Sequence, residues 1–176
     1  MNKNTLSASC FLVTFLILIG CQDTYTSKTI STEITASEKE IAQKAITARI
    51  DEIIAGANNL DVEAAAQPYS DAPEFKIINS DGSVSDLETM KSVQEEAFKS
   101  LASMNFKTIK QDFTFLAKDL VMCTWTGSNE FELKTGEKLK IEPYVGSLLF
   151  RNKNDEWKII YTHETAAPPV LVEQGS

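Results

Sequence analysis

Hydrophobic positions along the chain follow two different rhythms. From residue 37 to about 104 they recur at helical spacing, and from 105 onward they alternate. Ser37-Glu38-Lys39-Glu40 has the form of a capping box, in which the serine oxygen accepts from an early backbone N–H and the glutamate reaches back to the cap. Behind it Ile41, Ala42, Ala45, Ile46, Ile50, Ile53 and Ala57 keep to one broad helical face, with Arg49 intruding. Gly56 and Asn58-Asn59 end this helix, and a short piece from Asp61 to Gln67 stops at Pro68. The stretch "PEFKIINSDGS" predicts a short strand and an Asp-Gly turn. Ser85-Asp86-Leu87-Glu88 forms a second box and opens a helix with Leu87, Met90, Ala97 and Leu101 on one stripe, flanked by Val93 and Phe98.

The period-two half contains "NFKTIKQDFTFLA", "DLVMCTWTGSNEFELK", "EKLKIEPYVGSLLFR" and "EWKIIYTHET", four long strands joined by short turn sequences. Helices first and a meander second predict an α+β domain: a cone-shaped, strongly curved antiparallel sheet wrapped around N-terminal helices. An apolar cavity can lie between them. Gly127, Pro143 and Gly146 fall within strands and mark expected bends or bulges.

The other end concerns location. Lys3 precedes an apolar run from Phe11 to Ile19, too short to span a bilayer but the right length for the core of a secretory signal. Leu18-Ile19-Gly20-Cys21 resembles a bacterial lipobox. The expectation is a lipoprotein signal peptide over 1–20 and a lipidated Cys21, with a Thr/Ser-rich tether to 36 and one domain over 37–176. Acyl chains on Cys21 would anchor the domain in the cell envelope. Gln22, rather than an aspartate, follows the cysteine and favours the outer membrane. The net charge is −8 and no Lys/Arg run occurs, which argues against nucleic acid as a partner. Of three cysteines only Cys123 remains usable, in an apolar strand pattern that suits a small core residue. One histidine and one such cysteine do not make a metal site, and no cofactor is expected.

The order of elements, with the closing "EWKIIYTHET" and Ala167-Pro168 leading to Val170-Leu171, resembles the nuclear transport factor 2-like superfamily from about Ser37 to Val172. Within it the chain is similar to SnoaL-like domains and to the association domain of calcium/calmodulin-dependent kinase II. The resemblance implies the cone fold and a pocket lined by the long strands and the first helix. It leaves activity open, since the superfamily holds isomerases, dehydratases, cyclases, scaffolds and binding modules. In the kinase domain arginines line the pocket and one follows the final strand histidine; here that position is Glu164.

Proton transfer next to a carbonyl needs a carboxylate or imidazole as base and a donor for the oxyanion. The side chains that can line such a pocket are Arg49, Tyr69, Asp71, Trp125, Glu142, Tyr144, Tyr161, His163 and Glu164. Neither the ketosteroid-isomerase nor the polyketide-cyclase arrangement maps onto them, so no catalytic role is assigned. Arg49 reads more simply as a rim residue whose stem covers apolar surface. A regular final strand would put Trp157, Ile159, Tyr161, His163 and Thr165 on the inward face and Glu164 on the other. His163 then reads as a hydrogen-bonded strut before a base. The functional expectation is an anchored domain that holds a small, mainly apolar ligand or a protein partner. The alternatives are a SnoaL-like isomerase, cyclase or hydratase using a pocket acid or His163, and a homodimeric scaffold.

Overall fold

Helix α1 runs from Ala36 to Asn58, α2 from Val62 to Ala66, and α3 from Leu87 to Ser100. Two short strands, β1 (Lys76–Ile78) and β2 (Val84–Ser85), precede α3. Four long strands follow: β3 (Leu101–Ala117), β4 (Leu120–Leu133), β5 (Lys138–Lys153) and β6 (Glu156–Ala166), with a short β7 (Val170–Leu171) at the end. The structure, a computed structural model, describes residues 33–172, so the expected signal peptide, Cys21 and the expected tether up to residue 32 lie outside the described residues.

Both helix starts differ from the expected positions. The capping box that forms is Thr35-Ala36-Ser37-Glu38: Thr35 Oγ1 accepts from the Glu38 N–H at 3.2 Å and Glu38 Oε2 accepts from the Thr35 N–H at 2.8 Å. Two overlapping boxes compete here. The earlier one wins a further partner, because Lys118 Nζ in the β3–β4 turn donates to Glu38 Oε1 at 3.0 Å. Ile41 accordingly lies 68% exposed, off the packed face. At α3 the cap is Asp86, which accepts from the Thr89 N–H at 2.8 Å. Ser85 is instead buried in β2, where its Oγ accepts from Asn79 Nδ2.

The sheet order is β2-β1-β6-β5-β4-β3, with β7 paired to β5. The meander β3 to β6 is antiparallel as the alternation predicts, but β1 joins β6 in parallel, so the sheet is mixed. A parallel pairing needs a long crossover, and α3 with β3, β4 and β5 supplies it. Helix α1 packs across the concave side. Asn58 fastens its C-terminal end by accepting from the Phe106 N–H at 2.6 Å and donating to the Phe106 carbonyl at 3.2 Å. Ile46, Ile50, Phe75, Val121, Cys123, Phe150, Trp157 and Ile159 form the core between helix and sheet. Burial pushes the Cys123 thiol up to about 12, as befits a packed residue.

One irregularity decides what β6 presents to this core. Phe150 pairs with Ile159, but Leu149 pairs with Tyr161, so Ile160 is an extra residue in β6. A bulge of this kind inverts the alternation beyond it. It sits where β6 changes neighbours: the Ser70 N–H donates to the Ile159 carbonyl at 2.8 Å, and β1 takes over at Tyr161. Trp157 and Ile159 face the core, and past the bulge Thr162 and Glu164 do so in place of Tyr161 and His163. The regular-strand expectation is therefore reversed from Tyr161 onward.

Thr162 records the cost. It is fully buried, and its hydroxyl has no hydrogen-bond partner among the described residues. Replacing an unsatisfied buried hydroxyl by a methyl of the same shape removes a desolvation penalty. Thr162→Val is expected to raise unfolding stability by about 1 kcal/mol, read from the urea midpoint at unchanged slope. A lower midpoint would place the hydroxyl in a hydrogen bond.

Candidate functional site

Three rows of inward-facing residues cross β4, β5 and β6 at the upper end of the core. The deepest is Cys123, Leu148 and Thr162, continued by Ile77 of β1. The next is Trp125, Gly146 and Glu164, and the outermost is Gly127, Tyr144 and Ala166. Each of the upper rows alternates a large ring or long side chain with a very small residue. Gly127 leaves room for the Trp125 ring: a Cβ there would stand 2.3 Å from two of its carbons and 2.5 Å from the Lys107 carbonyl oxygen. The indole therefore folds along the sheet, and its N–H donates to Thr108 Oγ1 at 2.9 Å. Gly146 has the opposite surroundings. A Cβ there would meet only Leu148, at 3.6 Å, so the space above Gly146 is open.

That space is a cavity of about 310 Å³. Ile50, Ile53, Ile54 and Ala57 of α1 roof it, and Met90 and Val93 of α3 close one side. Phe106, Trp125, Tyr144 and Leu148 supply the sheet wall, with Tyr69 beside them. Phe106, Trp125 and Tyr144 pack mutually edge to face, with centroid separations of 5.5 to 6.3 Å. The polar part of the wall is small. It comprises Asn79, Ser80 and Ser85 from β1 to β2, Gln94 from α3, and Glu164.

Glu164 is the only charged group among the lining residues. The Tyr144 hydroxyl donates to its Oε2. Burial raises the Glu164 pKa above its ordinary value of 4.5, while the Tyr144 bond and the charge of His163 act to lower it. Tyr144 and Tyr69 are both pushed upward, by burial first and by the negative charge of Glu164 second. The arrangement is a carboxyl group in an apolar chamber, with one hydroxyl fixed on it and a second phenol nearby.

Of the side chains singled out in the sequence, Tyr69, Trp125, Tyr144 and Glu164 meet at this cavity. The other five stand elsewhere. Arg49 is a rim residue, bonded to Glu52 at 2.8 Å and facing Glu156 at 3.6 Å. Glu142 is exposed and pairs with Lys140 at 2.7 Å. Tyr161 and His163 follow the bulge and lie on the outer side of β6, His163 opposite Ser147 and Ile78. Asp71 lies on a separate polar surface groove with Lys91, Arg151 and Lys158. His163 is thus neither an inward strut nor a wall of the chamber. Gly146 and Gln94 were not anticipated as parts of the wall. An exposed-looking Gln on a charged helix carries no pocket signal, whereas a Gly between bulky strand residues is a signal of open space.

A family model described as a SnoaL-like domain matches residues 46–168. A search of curated proteins finds no sequence match. Among solved structures, a provisionally named scytalone dehydratase from Novosphingobium aromaticivorans superposes with a TM-score of 0.71 at 6% identity, covering 81% of this chain and 95% of that one. A hexachlorocyclohexane dehydrochlorinase, LinA type 3 from Novosphingobium barchaimii, gives 0.67 at 11% identity over 78% and 94%. A protein of unknown function from Mycobacterium tuberculosis gives 0.65 at 13% identity over 74% and 75%. At such identities the likeness establishes the fold: the nuclear transport factor 2-like cone, α+β, with a curved sheet of seven strands.

The raised pKa of Glu164 has a definite sign in stability. Above pH 4.5 the unfolded carboxyl has released its proton while the folded one still holds it. The native state then binds more protons, so stability falls as pH rises from there to the folded midpoint. Glu164→Gln keeps an acceptor for Tyr144 and has no proton to lose. The variant is expected to match the wild type at pH 4 and to exceed it at pH 7, in paired thermal melts. Equal stability at both pH values would contradict the burial of this carboxyl.

Proposed function

The chain belongs to the SnoaL-like domain family, and from that premise we propose that it is a lipid-anchored cell-envelope domain that takes up one small, mainly apolar molecule between α1 and the sheet. One observation carries this reading: the chamber over Gly146 is walled by aliphatic and aromatic side chains and holds a single carboxyl group. Its volume of about 310 Å³ lies at the low end of the roughly 300–1,000 Å³ of small-molecule sites. Apolar walls supply affinity through the area withdrawn from water, and the few polar groups fix orientation. The anchor rests on the Leu18-Ile19-Gly20-Cys21 motif behind an apolar signal core.

A second reading, general acid–base catalysis by Glu164, is favoured by its raised pKa in an apolar site. Binding is preferred on a geometric ground. The Tyr144 hydroxyl donates to Glu164 itself, so the pair does not present a free base and a free donor to one substrate. His163 does not line the chamber, so the catalytic alternative rests on the pocket acid.

Gly146→Val tests uptake without demanding a misfolded protein. Its Cβ fits at ordinary contact distance, and a branched residue suits a strand. Native mass spectrometry of the purified protein is expected to show a retained small molecule in the wild type and none in Gly146→Val, with melting unchanged or higher. A clean dimer with no bound mass in either protein would favour the scaffold instead. The anchor is tested on the same instrument: the intact N-terminus should begin at an acylated Cys21. An unmodified Cys21 would remove the anchor and leave the uptake reading standing.

A further inference from the structure

The polar groups of the chamber are unbalanced in a way that specifies the molecule it takes. Glu164 has two oxygens able to accept several hydrogen bonds, and Tyr144 meets one of them. Gln94 Oε1, in the same wall, is buried and has no partner among the described residues. Buried acceptors without donors are costly, and native structures supply them. None of the lining side chains is a lysine, arginine or histidine. Arg49, on the roofing helix, is taken up by Glu52 and Glu156, and His163 faces the other side of β6. The rings of Phe106, Trp125 and Tyr144 share the chamber lining with the carboxyl, and their faces carry the negative part of the aromatic quadrupole. The chain as a whole is acidic, at −8. Glu164 and Gln94 Oε1 call for N–H donors, and no lining side chain carries a positive charge that would neutralise an anion.

We propose that the ligand is an amphiphilic amine: an aliphatic or aromatic body seated against Ile50, Ile53, Met90 and Leu148, with an ammonium group between Glu164 and Gln94. An ammonium has three donors and no acceptor, so it can meet both Glu164 and Gln94 Oε1 and asks the chamber for no donor in return. An alcohol of the same size brings one donor and no charge. A carboxylate brings only acceptors and meets Glu164 with like charge. This proposal rests on the uptake reading above and narrows it to a substrate class.

Three probes of one shape separate the possibilities: 3-phenylpropylamine, 3-phenylpropanol and 3-phenylpropanoate, each titrated calorimetrically into the purified full chain at pH 7. The amine is expected to bind on the order of tenfold to a hundredfold tighter than the alcohol, the range of one charge-assisted hydrogen bond. The carboxylate is expected not to bind. Glu164→Gln should bring the amine down to the affinity of the alcohol, and Gln94→Met should lower the amine's affinity by a smaller factor. If the alcohol binds as tightly as the amine, or the carboxylate binds at all, the amine class is overturned while uptake of an apolar molecule stands. If none of the three binds, uptake fails and the amine proposal fails with it.

Discussion

The candidate site depends on one extra residue. Ile160 is unpaired in the ladder between β5 and β6, and every side chain beyond it changes sides. Without it the inward positions would be Tyr161, His163 and Thr165, and Glu164 would point outward among the solvated acids of the surface. With it a carboxyl group stands in an apolar chamber, next to a tyrosine from the adjoining strand. The bulge is held from both sides of its own strand: β5 keeps register before and after it, while the 68–70 segment and β1 divide the other edge between them. Thr162, buried with no partner for its hydroxyl among the described residues, is what this inversion costs.

The chamber itself is a consequence of size alternation across the sheet. Gly127 admits the Trp125 ring, and Gly146 is flanked in its row by Trp125 and Glu164 with nothing of its own above it. Sheets filled by large side chains on every inward position pack solidly, as the row of Val121, Phe150 and Ile159 does lower in this one. One missing side chain at Gly146 opens the upper part. Glycine in a strand interior is unfavourable by roughly 0.5–1 kcal/mol against alanine, so the chain carries a small stability cost at the place where it can hold another molecule. Site and fold are therefore set by the same two devices, an inserted residue and an absent side chain.

Much of the architecture was legible in the sequence because its signals are redundant. Ile46, Ile50 and Ala57 repeat at helical spacing over several turns, so misplacing the cap by two residues did not disturb the packed face. The long strands are marked by alternating stretches, and their turns are short. The tail of β6 was misread because Ile159-Ile160-Tyr161 is an unbroken apolar run. Alternation carries no phase through such a run, and either face can follow it. Bends or bulges are expected at Gly127, Pro143 and Gly146, and the β4–β5 ladder does shift register between Gly127 and Asn129, whereas an isoleucine carries no such mark. The parallel pairing of β1 with β6 was equally hidden: a three-residue strand has too few positions to show which neighbour it joins. Tyr69, Trp125 and Tyr144 could be proposed because aromatic residues on inward phases tend to meet. Gln94 could not, since its role depends on which wall of a chamber α3 closes.

The direct test of this account is the titration of the Glu164 carboxyl, followed by carbon-detected NMR with Glu164→Gln as the assignment control. Burial beside Tyr144 predicts a midpoint above the ordinary carboxylate value of 4.5, and one that moves when a chamber ligand is added. A midpoint at the ordinary value, unmoved by any ligand, would mean that Glu164 reaches solvent, that β6 runs without the inversion at Ile160, and that the chamber has no carboxyl in it.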